Sequence, residues 1–185
     1  ALAKSEIIKN IKDDGYLVLN KDDKFYSFHK NMGLKRNLKI LSFSLRDKNA
    51  TTNLDSISKE KSKYKVSINI NKKKIFFYSN SFFENDLKNL LASITIISIF
   101  KNIHKLDKNI FYDHKVTNGR GDITKIKLFK NFFYLIDESY NSNPLSLKSA
   151  LKNFDMIKVD NAKKHLVLGD MLELGKYSKK LHIEM

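Results

Sequence analysis

The sequence predicts an α/β fold with a mostly parallel sheet and flanking helices. Three observations carry that expectation: short apolar runs alternate with stretches of helical period, glycines fall at the joins between them, and no repeat or low-complexity linker interrupts the order. A chain of 185 residues is long enough to bury a sizeable core in one large domain, or in one domain and part of another.

Residues 1–12 carry apolar side chains at Ala3, Ile7, Ile8 and Ile11, which is helical spacing, and Gly15 stops that helix. "YLVLN" at 16–20 reads as a short buried strand, and "KDDKFYSFHKNMG" as a turn leading into an amphipathic helix ended by Gly33. "LKILSFSL" at 38–45 is the next strand. A polar connection follows, in which the lysine-rich "SKEKSKYK" near residue 60 reads as a solvated loop. "YKVSINI" and "KKIFFYS" then alternate like a hairpin around "NKK". Residues 84–103 are the strongest helix, with Leu87, Leu90, Leu91, Ile94, Ile97 and Phe100 on one face.

A composition break comes at "YDHKVTNGRGD", residues 112–122, where two glycines and several charges sit without an apolar period. A new α/β unit begins beyond it: "ITKIKLF" and "NFFYLID" as strands, "NPLSLKSALKNF" as a helix, "KHLVLGD" as a strand and "YSKKLHIEM" as a helix. One crossover and a strand do not close a doubly wound domain, so this second domain is expected to be incomplete. The opening "ALAKSEIIKNIKDDG" has no initiator methionine and no signal-peptide architecture, and is expected to lie inside a longer protein.

Composition narrows the function classes. No run of about 18 apolar residues exists, so no membrane insertion is expected; the longest, "LLASITIISIF", is broken by Ser93, Thr95 and Ser98 and reads as a buried helix. The chain has no cysteine, which excludes disulfides and thiolate metal sites and fits a reducing cytosol. A net charge of +15 raises nucleic-acid binding, yet among 35 basic residues only Arg36, Arg46 and Arg120 are arginine. Base and bidentate phosphate readout favour the planar guanidinium, and the lysines are scattered through every segment. A solvated surface is therefore the expectation, with a basic polyanion-binding module as the rival.

The polar cluster that follows "NFFYLI" lies where ligands bind in open α/β sheets, beyond the carboxyl end of a strand. Asn143 can cap the next helix, and Pro144 at its first turn needs no amide donor. Capping leaves Glu138, Tyr140 and Asn141 unexplained; a ribose, whose hydroxyls take a carboxylate acceptor, is one ligand that fits. "HLVLGDMLELG" at 165–175 is a second such place, one helix and one strand further on.

Together, "IDESYNSNPLSLKSAL", "LVLGDMLELG" and "YSKKLHIE" resemble the C-terminal domain of the Mur ligases, in the wording of the D-alanyl-D-alanine-adding branch. The resemblance implies that residues 1–117 are the C-terminal part of a central ATP-binding domain, and residues 118–185 the start of a truncated, Rossmann-like ligase domain. "ALAKSEI" is similar to the family helix whose lysine is carbamylated, which makes Lys4 the candidate catalytic residue and, through its carbamate, the Mg²⁺ ligand; read from the stretch alone it is an exposed helix lysine. "VLNKDD" is similar to the family's L-N-A-D-D, taken as architectural.

The resemblance further implies that "NDLKNLLAS" is the helix that meets adenine. Asn85 and Asp86 stand there for the family's histidine and first asparagine, and Asn89 keeps the second. "NGRGD" looks like the hinge G-R-G, with Arg120 reaching the nucleotide phosphates as a catalytic residue. Glu138 falls at the ribose-binding carboxylate, with Asp137 beside it and Asn141 also toward the cofactor. The implied cofactors are ATP and Mg²⁺. The implied substrates are UDP-N-acetylmuramoyl-tripeptide and D-alanyl-D-alanine, joined in the bacterial cytoplasm by a monomeric parent enzyme. A sister ligase adding a single amino acid and a non-catalytic nucleotide-binding remnant are the alternatives. No G-x-x-x-x-G-K-[ST] occurs, so the 185-residue chain alone is expected to be inactive and to bind ATP weakly.

Overall fold

A computed structural model describes residues 2–113, 118–159 and 163–185, which form two compact units, 1–114 and 115–185. In the first, α1 (Leu2–Lys9), β1 (Tyr16–Asn20), α2 (Tyr26–Lys35), β2 (Lys39–Ser44), β3 (Thr52–Glu60), β4 (Lys63–Ile70), β5 (Lys73–Ser79) and α3 (Glu84–Phe100) follow in chain order. The strands make one sheet in the order β1-β2-β3-β4-β5.

The α/β class holds, but within this chain the sheet is mixed rather than mostly parallel. β1, β2 and β3 run parallel, while β3-β4 and β4-β5 are antiparallel. Their short turns leave no room for a crossover helix. At the second turn Asn71 and Lys72 both have positive φ, 47° and 66°, as a two-residue type I′ hairpin requires. Lysine pays a steric penalty there that glycine avoids. Lys72→Gly is expected to stabilise the unit by about 0.5–1 kcal/mol, visible as a raised Tm.

β3 carries little apolar signal, because only Leu54 and Ile57 are large and apolar in "TNLDSISKE". β2 pairs with its first two residues alone, Thr52 and Asn53, whereas β4 pairs with it from Thr52 to Glu60, with an irregularity between Leu54 and Ser56. From Ser56 to Glu60 the strand is exposed, so polar side chains suit it. The lysine-rich segment is therefore a hairpin tip, not a loop: Glu60 pairs with Lys63 across a turn at Lys61, whose φ is 55°.

Helices cover both faces of the sheet. Leu17 and Ile40 are register partners facing α2, and with Ile8, Leu38 and Met32 they form one apolar cluster. Phe43 and Thr52, also register partners, point to the opposite face. There Thr52 Oγ1 accepts a 2.8 Å hydrogen bond from Thr95 Oγ1 of α3. Leu87, Leu90, Leu91 and Ile94 of α3 pack on Val66, Ile68, Ile70, Ile75 and Phe77 in the main core. Phe100, expected on that face, is 77% exposed at the last turn.

Gly33 does not end α2 but lies buried inside it. A Cβ there would come within 2.7 Å of Ile40 Cδ1 and Leu17 Cδ2, so glycine lets the helix approach the sheet closely. α2 ends at Lys35, and Asn37 with φ 54° turns the chain into β2. Arg36 folds back to donate from Nη1 to Ile8 O at 2.8 Å and to Lys9 O. These are carbonyls at the C-terminal end of α1, which lack helical partners. One of the three arginines is thus a helix cap, and a second, Arg46, lies 3.7 Å from Glu84.

The second unit contains the antiparallel pair β6 (Asp122–Leu128) and β7 (Asn131–Asp137), then α4 (Pro144–Met156) and α5 (Ser178–Ile183). β7 is not buried as its apolar run predicts: Phe132, Phe133, Tyr134 and Leu135 are 45–62% exposed. A strand with one neighbour has too little structure around it to cover both faces. "KHLVLGD" forms no strand either, and Val167 is 95% exposed. Its apolar residues have no ladder partner among the described residues. Beyond it, Met171 N donates to His182 Nε2 at 2.9 Å while His182 Nδ1 lies 2.8 Å from Ser178 O, which ties the "LGDM" turn to α5.

Candidate functional site

The polar cluster of the second unit is held by a clasp between the turn Gly119–Asp122 and the stretch Asp137–Tyr140. β6 and β7 begin and end together, with Asp122 opposite Asp137. The chain entering β6 and the chain leaving β7 are therefore neighbours. Gly121 N donates to Asp137 O at 2.7 Å and Tyr140 N donates to Gly119 O at 3.0 Å, extending the ladder past the strands. Asp122 Oδ1 closes the turn by accepting from Gly119 N at 2.8 Å.

Both glycines are needed. Their φ angles, 77° and 88°, lie in the left-handed region. A Cβ on Gly119 would stand 2.9 Å from Tyr140 N, and one on Gly121 would stand 3.0 Å from Glu138 Oε1. Arg120 is exposed between them, with its guanidinium carbon 4.4 Å from the centre of the Tyr140 ring. The clasp thus gathers a guanidinium and three carboxylates, Asp137 and Glu138 at the carboxyl end of β7 and Asp122 at the start of β6. Hydrogen bonds from Ser139, side chain then backbone, hold the Asp137 carboxyl below its ordinary pKa and keep it an anion.

The loop then starts α4. Asn143 Oδ1 accepts from Leu145 N at 3.1 Å and Ser146 N at 3.0 Å. Ser146 Oγ in turn accepts from Asn143 N at 2.9 Å, and Pro144 opens the helix. This reciprocal capping box accounts for Asn143 and Pro144 structurally. Asn141 is exposed in the loop between clasp and cap.

In the first unit Asn89 sits on the exposed side of α3, one turn after the exposed Asn85. Asp86 accepts from Ser81 Oγ and so belongs to the start of the helix. Arg46 Nη2 and Lys88 Nζ lie 3.7 and 2.7 Å from Glu84 Oε1, which makes the same end of α3 charged. In "VLNKDD", Asp22 accepts from Ser44 Oγ at 2.5 Å and from Leu45 N at 2.7 Å, joining the ends of β1 and β2. Lys4 belongs to α1, but its side chain lies outside the described residues. No group of three or more histidine or acidic side chains placed to hold a metal ion occurs among the described residues.

Sequence reasoning therefore named Arg120, Asp137 and Glu138, which the fold brings together, and Asn89, which it puts in the other unit. It missed Asp122, whose only signal was its place at the end of "NGRGD". It also missed the pairing of Arg120 with Tyr140, because a contact between residues 20 apart leaves no local pattern.

The Mur ligase middle domain family matches residues 1–97. The UDP-N-acetylmuramoyl-tripeptide--D-alanyl-D-alanine ligase of Buchnera aphidicola subsp. Baizongia pistaciae is 29% identical over 179 residues, covering 95% of this chain and 36% of its own length. A crystal structure of MurF from Acinetobacter baumannii matches with a TM-score of 0.79 at 21% identity, over 98% of this chain and 37% of that one. MurF ligase from Thermotoga maritima in complex with ADP gives 0.75 at 20% identity, over 98% and 39%. The chain thus spans a little over a third of the relatives it matches, and the structural likenesses establish the fold. With more than half of its residues matched by the middle-domain family, the chain belongs to the Mur ligases.

Proposed function

We propose that this chain is part of an ATP-dependent ligase that joins D-alanyl-D-alanine to UDP-N-acetylmuramoyl-tripeptide in peptidoglycan precursor synthesis. The observation that carries the reading is the match of 95% of the chain to a relative bearing that name. The grouping of Arg120 and Glu138 in one clasp supports it, because a nucleotide needs a cation for its phosphates and an acceptor for its ribose. Residues 1–117 are then the end of the ATP-binding domain and residues 118–185 the start of the ligase domain. The complete enzyme is taken as a monomer of the bacterial cytoplasm, acting without nucleic acid and without insertion into a membrane.

ATP supplies the phosphoryl group that activates the terminal carboxylate of the tripeptide, and the amine of D-alanyl-D-alanine displaces phosphate to form the amide. In this reading Arg120 neutralises charge on the transferring phosphoryl group. Glu138 accepts from the ribose, Asp137 and Asn141 flank it, and Asn89 offers its amide to adenine. Lys4, as a carbamate, is the proposed Mg²⁺ ligand, and the described residues add no metal-binding cluster.

The test is phosphate release by the protein of the complete reading frame encoding this chain, given ATP, Mg²⁺, UDP-muramoyl tripeptide and either D-alanyl-D-alanine or single amino acids. Release that depends on D-alanyl-D-alanine is the expected result. Release with a single amino acid alone moves the assignment to a sister ligase, and none from folded protein favours a non-catalytic remnant. The 185-residue chain by itself is expected to give no turnover, and measurable turnover from it would overturn that expectation.

A further inference from the structure

We propose that Tyr140 is a positioning residue for Arg120, holding the guanidinium ready for phosphate. This rests on the nucleotide reading above and adds to it a residue that makes no contact with the nucleotide. Arg120 is exposed on a turn whose backbone is bonded at Gly119 and Gly121, so its long side chain is the part left to order. An arginine so placed would sample many rotamers, and ordering it on phosphate would cost affinity.

Two features of the clasp oppose that loss. The backbone of Tyr140 is fixed to the turn, since Tyr140 N donates to Gly119 O at 3.0 Å. Its ring then lies under the guanidinium, 4.4 Å from Arg120 Cζ. A guanidinium stacked on an aromatic face keeps its edge N–H groups available, so the ring can hold the cation while those donors take phosphate oxygens. Tyr140 is 67% exposed, so packing against a core does not account for the ring. Of the acids in the clasp, Asp122 accepts from Gly119 N, Asp137 accepts from Ser139 N at 2.9 Å, and Glu138 Oε1 lies toward Gly121.

The test has two parts. In the ¹⁵N-labelled 185-residue chain, the Arg120 Nε–H resonance, identified by its loss in Arg120→Lys, is expected to carry a ring-current shift. Tyr140→Phe should keep that shift and Tyr140→Leu should abolish it. An unchanged resonance in Tyr140→Leu overturns the pairing.

In the protein of the complete reading frame, Tyr140→Leu is expected to lower kcat/KM for ATP by roughly two- to fivefold, with Tyr140→Phe close to wild type. Arg120→Ala should lower it by about tenfold or more, and adding Tyr140→Leu to it should change nothing further. A loss in Arg120→Ala with none in Tyr140→Leu, or additive losses in the double variant, overturns the positioning role alone. No loss in Arg120→Ala overturns the phosphate role of Arg120 and the proposal with it.

Discussion

Phe77→Ala is expected to destabilise the first unit by about 3–5 kcal/mol, the cost of emptying a fully enclosed aromatic site. Phe77 is 0% exposed at the centre of the core between the sheet and α3. Its ring stands edge-on to Phe111, 5.4 Å away at 88°. Its neighbours are β-sheet residues fixed in register, Val66 directly opposite on β4, and the buried face of a 17-residue helix. Neither can collapse far into the space, so the cavity persists and adds to the lost transfer energy. Against a total stability of about 5–15 kcal/mol for a domain, such a loss brings the unit close to unfolding.

Phe76 provides the matched comparison, since it precedes Phe77 on the same strand and points to the other face. It is half-buried, and Lys65 and Lys108 cover its ring at 4.6 and 5.8 Å. Phe76→Ala should cost about 1–2 kcal/mol, a partial share of the full-burial value. Urea midpoints read from the amides of β4 and β5 in the two variants decide the matter. Equal losses would mean that the face assignment of β5 is wrong.

That assignment was legible in part: "YKVSINI" alternates, but Ile75, Phe76, Phe77 and Tyr78 run apolar on both faces of β5, and the register of Phe77 opposite Val66 decides which face is buried. What could not be read were features set by distance in the chain. Gly33 looks like a helix stop, and only the 2.7 Å approach of Leu17 and Ile40 shows why it belongs in the middle of α2. β3 has too few apolar residues to announce a strand, since most of it pairs with β4 alone. "NFFYLI" and "HLVLGD" mislead in the other direction, because an apolar run reports a preference for burial and cannot supply the neighbours that bury it. At the site, the capping box around Asn143 is local and was readable. The clasp joins residues 119–122 to 137–140, and two glycines around an arginine were its only trace.

Those glycines support a prediction of comparable size, in which position alone separates three substitutions of the same kind. Gly169→Ala should be neutral within about 0.5 kcal/mol, because its Cβ would meet nothing within 4 Å and no left-handed angle is involved. Gly175→Ala finds the same open space but has φ 53°, so it should cost about 1 kcal/mol from backbone strain. Gly119→Ala combines φ 77° with a Cβ 2.9 Å from the amide nitrogen of Tyr140, and that neighbour is backbone, which cannot swing aside. Strain and overlap together should cost about 2–4 kcal/mol within the second unit. The hydrogen bond from Tyr140 N to Gly119 O is the first contact to open, so amide exchange at Tyr140 reports the loss directly. Faster exchange at Tyr140 in Gly119→Ala, with none in Gly169→Ala, is the expected pattern. Unchanged exchange in Gly119→Ala would mean that the turn relaxes without disturbing Tyr140. Arg120 would then owe its place to something other than the two glycines around it.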